Sequence, residues 1–302
     1  MLAAYHAAML ERLGLGSGGP LWRGLAYAGS RYGPRPWLRY SPPLFGWAVA
    51  VAQPETRHRV RENLRRVLGA RLPIEEHLDV ARTFSNYAHC MAEALATGRR
   101  AAARPRCLML GRDRLNRVRA DGSGFLVVTA HVGAWDSAAR LLARDTGRAV
   151  KVIMVPEPDP RAQRLHDYAR SAAGVDLARV GHPLDALPLL RHLETGGVVA
   201  AQLDRVPPDV RGVTASLFGQ PFRVPQGPFR LAAASECPIL PVFAARIGHF
   251  EYEVHVGEVI RLPRRADESC LSRAAERACQ EMEHFIRLYP TQWFHFDPVN
   301  DS

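Results

Sequence analysis

Gly124-Phe125-Leu126-Val127-Val128-Thr129-Ala130-His131-Val132-Gly133-Ala134-Trp135-Asp136 decides how this chain is read. Residues 125–129 are an apolar run with adjacent β-branched side chains, and they predict a strand buried on both faces. Ser137 to Ala143 then read as a helix. A strand that feeds a helix through a short loop is the repeating unit of a parallel α/β sheet, and such sheets bind ligands at the carboxyl ends of their strands. His131 stands at such an end, and Asp136 follows five residues on. On one regular helix the two would point about 140° apart, because each residue turns about 100°. They meet only if the chain turns between them, and Gly133 offers that turn. A carboxylate on one imidazole nitrogen fixes the tautomer and lets the other nitrogen take a proton from a hydroxyl. His131 and Asp136 are therefore the candidate catalytic pair. Taken alone, the two also fit a polar strand end and a first-turn acid favoured by the helix dipole.

Working outward, strand-like and helical runs alternate. The predicted strands are Phe125–Thr129, Ala149–Val155, Val198–Leu203, Ile239–Ile247 and Tyr252–Ile260. Helices are predicted near Trp135–Thr146, Arg161–Ala173, Leu184–Glu194 and Pro228–Ser235, with a closing helix over Glu268–Leu288. This alternation predicts an α/β fold with a mostly parallel central sheet flanked by helices. Upstream, Gln53–Gly69 and Pro73–Thr97 read as helices, while Gly14–Pro20, Gly33–Pro36 and Pro42-Pro43 break residues 1–52 into short pieces. With no repeat, linker or low-complexity tract, residues 1–302 read as one domain: a helical N-terminal layer to about residue 110, and an α/β core after it.

The chain carries a formal net charge of +10. Residues 1–120 hold 20 of the 40 basic residues, all of them arginine, and 8 of the 30 acidic ones. The excess is thus N-terminal and suits an anionic membrane surface. Val60, Leu64, Val67 and Leu68 form one apolar stripe among Arg57, Arg59, Arg61, Arg65 and Arg66, a pattern that can lie on a membrane or pack on its own domain. Those arginines have no interleaved aromatic residues, which argues against a nucleic-acid partner. There is no apolar stretch of about twenty residues and no signal-peptide pattern. The five cysteines are odd in number and form no C-x-x-C pair, which fits a reducing compartment with buried thiols better than a disulfide framework or a zinc site.

A second region follows the strand 198–203. Asp204 could accept a hydrogen bond in the ligand crevice, and Arg205 or Arg211 could hold a phosphate as a planar fork. Gly133 and Trp135 join these as candidate substrate contacts. Gly227-Pro228 reads as a helix start whose N–H groups could face an anion. Phosphate-loop, dinucleotide, zinc-protease and serine-elbow motifs are absent, and the histidines show no i, i+4 metal spacing. Neither a metal nor a cofactor is expected.

Taken in order, these pieces resemble the bacterial lipid A biosynthesis acyltransferases (lauroyl/myristoyl type), part of the lysophospholipid acyltransferase-like group with its H-x4-D/E motif. The resemblance runs from Glu62-Asn63-Leu64 through Thr129-Ala130-His131-Val132-Gly133-Ala134-Trp135-Asp136, Asp204, Leu217-Phe218-Gly219 and Gln226-Gly227-Pro228-Phe229-Arg230-Leu231-Ala232 to Tyr289-Pro290-Thr291-Gln292-Trp293-Phe294. It implies a glycerolipid acyltransferase-like fold. It also implies transfer of a fatty acyl chain from acyl-carrier protein or acyl-CoA to a hydroxyl of a lipid or glycolipid, without an acyl-enzyme. The chain departs in having Asp136 where the lipid A enzymes usually carry Glu, and His295-Phe296-Asp297 where basic residues often follow the closing motif. No N-terminal membrane helix is evident. The expected place of work is the cytoplasmic face of the inner membrane, with peripheral attachment. A soluble specialised-metabolite acceptor and a non-catalytic lipid-binding protein on the same fold are the alternatives.

Overall fold

The computed structural model describes residues 24, 27–30, 32–96, 105–154, 176–179, 185–207 and 210–297. The elements in chain order are α1 (Arg35–Ala52), α2 (Pro54–Leu68), α3 (Pro73–Ala96), β1 (Arg106–Leu110), α4 (Arg112–Ala120), β2 (Phe125–Thr129), α5 (Trp135–Thr146), β3 (Val150–Met154) and β4 (Asp176–Arg179). They continue with α6 (Ala186–Glu194), β5 (Val198–Gln202), β6 (Gly212–Leu217), β7 (Gln220–Pro225), α7 (Gly227–Ser235), β8 (Ile239–Gly248), β9 (Glu251–Val256) and α8 (Glu268–Leu288). A 3₁₀ turn over Pro290–Gln292 follows.

Strand β2 lies in the middle of a seven-stranded sheet of order β1-β9-β8-β2-β5-β3-β4. All pairings are parallel except β8 with β9. The expected mostly parallel sheet is therefore present. Its β2 buries alternate residues on opposite faces, as the two-residue period of a strand requires. Leu126 and Val128 join a core shared with α7 and α8, whereas Phe125 and Val127 join one shared with α4 and α5. Four-residue stretches of unbroken apolar sequence thus serve two cores at once.

Three features differ from the expectation. Helix α1 runs through Pro42 and Pro43 instead of breaking there. It lies against α3 so closely that a Cβ on Gly46 would stand 2.5 Å from the Phe84 carbonyl oxygen, and tertiary packing outweighs the lost backbone bonds. Strand β1, within the predicted helical layer, adds to the sheet edge beside β9. Residues 212–225 form a hairpin, with Phe218 (φ 52°) and Gly219 (φ 73°) supplying the left-handed pair of a two-residue turn. The predicted helix Arg161–Ala173 lies outside the described residues.

The helical layer is tied to the sheet by buried polar contacts. Glu93 of α3 accepts hydrogen bonds from Arg246 Nε (2.8 Å) and the Tyr252 hydroxyl (2.7 Å). On α2, Arg65 makes a bidentate pair with Glu76 of α3 at 2.6 and 2.7 Å, so that arginine is turned toward the protein.

Candidate active site

The chain leaving β2 is held at one backbone group after another. The His131 N–H donates to both carboxylate oxygens of Asp204, each at 3.1 Å. Gly133 N–H donates to the Gln292 carbonyl and Ala134 N–H to the Ala244 carbonyl, both at 2.8 Å. The His131 carbonyl accepts from Phe294 N–H at 2.8 Å. Gly133 takes φ 48°, and a Cβ there would sit 2.1 Å from the Ala244 carbonyl oxygen. Only glycine allows both the left-handed turn and that approach. Its part in the site is thus the shape of the loop. Gln292 completes the clamp by bonding both the N–H and the carbonyl of Arg246 on β8 at 2.9 Å.

The His131 ring pairs with Asp204, not with Asp136. Nδ1 lies 2.8 Å from Asp204 Oδ1, and no hydrogen bond or ion pair joins the ring to Asp136 among the described residues. The reason is topological. Strands β2 and β5 are parallel neighbours in register, Thr129 opposite Gln202, so the residues just beyond their ends converge. Helix α5 begins at Trp135 and carries Asp136 in its first turn, on the wall of the cleft. The expected orienting carboxylate is corrected accordingly, and so is the placement of Asp204 as a substrate contact. Asp204 is 0% exposed and stands behind the imidazole, out of reach of a ligand.

Burial by itself would raise the Asp204 pKa, but the charge and hydrogen bond of His131, with His295 adding to them, hold the carboxyl well below its usual range. Asp204 is therefore ionised, and His131 Nδ1 must carry the proton in their bond. Nε2 is left as the acceptor nitrogen. The side chain is 21% exposed, so one edge of the ring meets solvent. Trp135 packs edge-on against it with ring centres 5.5 Å apart.

Trp135, packed on the His131 ring, also lines a cleft open to solvent between α5 and the sheet. Its walls are mostly apolar and include Val127, Ala138, Ala139, Leu142, Val152 and Val242. Trp135 and Asp136 stand at its wall and also line a smaller hollow toward Tyr87, Met91 and Phe294. An acid–base group next to an apolar slot is suited to chemistry on an amphipathic molecule.

The basic residues are placed differently from the expectation. Arg205 donates to the Phe294 carbonyl at 3.1 Å and lies 3.6 Å from the Asp297 carboxylate, so much of its fork is occupied by the closing segment. Arg211 is exposed at the entry to β6, and no contact joins it to His131 or Asp136 among the described residues. At the start of α7, Gln226 Nε2 donates to Glu268 at 2.8 Å and Arg230 pairs with the same carboxylate, which sets an acid near the helix start expected to face an anion. Leu217 is core, and Phe218 packs on Trp293 with ring centres 5.7 Å apart. Sequence reading missed the roles of Gln292 and His295. The signal was there in the tail motif, but nothing in linear sequence ties residues 292–295 to residue 131.

The profile of the bacterial lipid A biosynthesis acyltransferase family matches residues 22–299. The chain belongs to that family. It is similar to the phosphatidylinositol mannoside acyltransferase of Mycobacterium tuberculosis, in both strain CDC 1551 / Oshkosh and strain ATCC 25618 / H37Rv. Each match is 28% identical over 221 residues, covering 65% of this chain and 69% of the relative. This family member is an acyltransferase, and its activity falls among lipid acyl transfers. The α/β sheet, the loop after β2 and the C-terminal clamp all lie within the matched span.

Proposed function

We propose that the protein transfers a fatty acyl chain from a thioester, carried by acyl-carrier protein or coenzyme A, to a hydroxyl of a glycolipid or phospholipid acceptor. The observation that carries this reading is the buried Asp204 on His131 Nδ1, which leaves Nε2 as a base, with Trp135 packed on the ring and lining the neighbouring apolar cleft. In the proposed step Nε2 takes the hydroxyl proton as the oxygen attacks the thioester carbonyl. Asp204 stabilises the imidazolium, which returns the proton to the leaving thiolate. No residue becomes acylated, and the donor brings its own activated bond, so no cofactor or metal enters. Asp136 is assigned to the substrate side, where it lines the cleft beside Trp135. Arg205, with its remaining donors, and Arg211 are assigned to acidic groups of donor or acceptor. A mannosylated lipid acceptor is favoured over a lipid A precursor by the resemblance to the mycobacterial relatives.

The same reading puts the enzyme on the cytoplasmic face of the inner membrane. Among the described residues no helix is long and apolar enough to cross a membrane. Instead, α1 exposes Trp37, Tyr40, Leu44, Trp47 and Val51, a single stripe at helical spacing. Aromatic side chains of that kind settle at the level of lipid headgroups.

The deciding experiment is thioester release with long-chain acyl donors scanned over acceptors, backed by lipid mass spectrometry of a strain lacking the protein. Acyl transfer that His131→Ala lowers at least about 100-fold supports the assignment. Thioester release that is indifferent to every lipid acceptor favours the soluble acceptor, and binding without turnover favours the non-catalytic reading.

A further inference from the structure

His295 is 1% exposed, yet among the described residues neither of its ring nitrogens has a partner within 3.5 Å. Buried polar groups left unmet are uncommon and destabilising, so this one asks for a reason. Its Nδ1 lies 3.8 Å from Asp204 Oδ2, while Asp204 Oδ1 receives His131 Nδ1 at 2.8 Å. A shift of under about 1 Å would bring it to hydrogen-bond distance. The ring is held on that line. It stacks on Trp293 with centres 5.3 Å apart and planes 26° apart. Its carbonyl accepts from Asn63 Nδ2 of α2 at 2.8 Å, and the next residue upstream donates to the His131 carbonyl.

We propose that His295 is a positioning residue, one that holds the second oxygen of Asp204, so that a single buried carboxylate is shared by two histidines and presents a fixed oxygen to His131. The proposal rests on reading His131 as the base. Among the described residues, Asp204 faces His295 from the end of β5 and carries His131 on its other oxygen; Arg205, on the β5 exit, pairs with Asp297, two residues after His295; and Tyr87 of α3 packs on Phe294 and Phe296. Asn63, from α2, is neutral.

A donor on Oδ2 draws part of the carboxylate charge away from His131. Removing His295 leaves Oδ2 held by the His131 backbone N–H alone, which loosens the oxygen presented to the ring and lowers kcat and not the affinity for the donor.

The test compares wild type, His295→Phe and His295→Asn by nitrogen-15 NMR of the imidazoles, with steady-state kinetics alongside. The His295→Phe variant should lower kcat about tenfold with KM for the acyl thioester unchanged. His295→Asn, whose amide nitrogen takes the place of Nδ1, should restore kcat. In wild type the His295 ring should show one nitrogen as a hydrogen-bonded donor, a signal that needs no variant to fold. A kcat identical in wild type and His295→Phe overturns the proposal, as does a wild-type His295 without that bonded nitrogen. The nitrogen spectra are read without substrate. A wild type that transfers no acyl group therefore refutes the function while this result still stands on its own.

Discussion

Asp204→Asn separates the two carboxylates that compete for the role of His131's partner. The side chain is almost isosteric and still accepts from the His131 backbone N–H, so the loop keeps its anchor. Two things change. The charge that stabilises the imidazolium is gone, and a hydrogen bond to a charged partner is worth about 1.5–3 kcal/mol. At about 1.4 kcal/mol per decade this alone slows the chemical step roughly 10- to 100-fold. The amide can also turn its NH₂ toward Nδ1, which selects the tautomer with the proton on Nε2 and removes the base. Together the loss in kcat should reach on the order of 10²–10⁴. The assay is single-turnover transfer from a radiolabelled acyl thioester at saturating acceptor, with circular dichroism as the check on folding. Asp136→Asn, measured beside it, should cost less and act more on KM. An Asp204→Asn enzyme within about threefold of wild type, beside an inactive Asp136→Asn, would refute the assignment. Asp204 has a second readout in stability. A carboxyl whose pKa is lower in the folded than in the unfolded state stabilises the fold above its unfolded value, near about 3.9. That contribution is lost as pH falls through the depressed folded value. Wild type should therefore lose stability in urea titrations as pH drops below about 4, and Asp204→Asn should lose less over the same window.

Gly133→Ala meets both a left-handed backbone and the Ala244 carbonyl at 2.1 Å. The backbone alone costs about 1–2 kcal/mol, so Tm should fall and activity should fall further than the folded fraction; an unchanged Tm and rate would show that the turn relaxes freely. Ala139→Leu narrows the cleft between α5 and the sheet, and a donor series should then favour shorter acyl chains, each buried methylene being worth about 0.8 kcal/mol; an unaltered chain-length profile would place the acyl chain elsewhere. In vesicle co-sedimentation, Trp37→Ser with Trp47→Ser should weaken binding to neutral and anionic vesicles alike, whereas Arg57→Gln with Arg61→Gln should weaken only the salt-sensitive, anionic part. Full binding by the double tryptophan variant would mean that α1 is not the attached face.

Much of the architecture follows from local pattern. The run 125–129 has a length, branching and apolarity that favour a doubly buried strand, and the helix from Trp135 to Thr146 follows the 3.6-residue period, so both were legible to the residue. His131 was legible too, because a histidine at the carboxyl end of such a strand is placed by the strand itself. The alternation of elements pointed to a parallel sheet for the same local reason. What linear sequence could not supply was the strand order. Asp204 is 73 residues from His131 along the chain, and it becomes the ring's partner only because β5 inserts beside β2, with β3 beyond it. His131 therefore looked to Asp136, the nearest carboxylate in sequence, while the sheet delivered a different one. The unbroken α1, the hairpin at Phe218-Gly219, and the closing segment that joins Gln292 and His295 to the site depend in the same way on packing against distant elements. Sequence sets which residues can form a strand, a helix or a base. The contacts made across the sheet decide which of them meet, because register and neighbour order are properties of the whole chain.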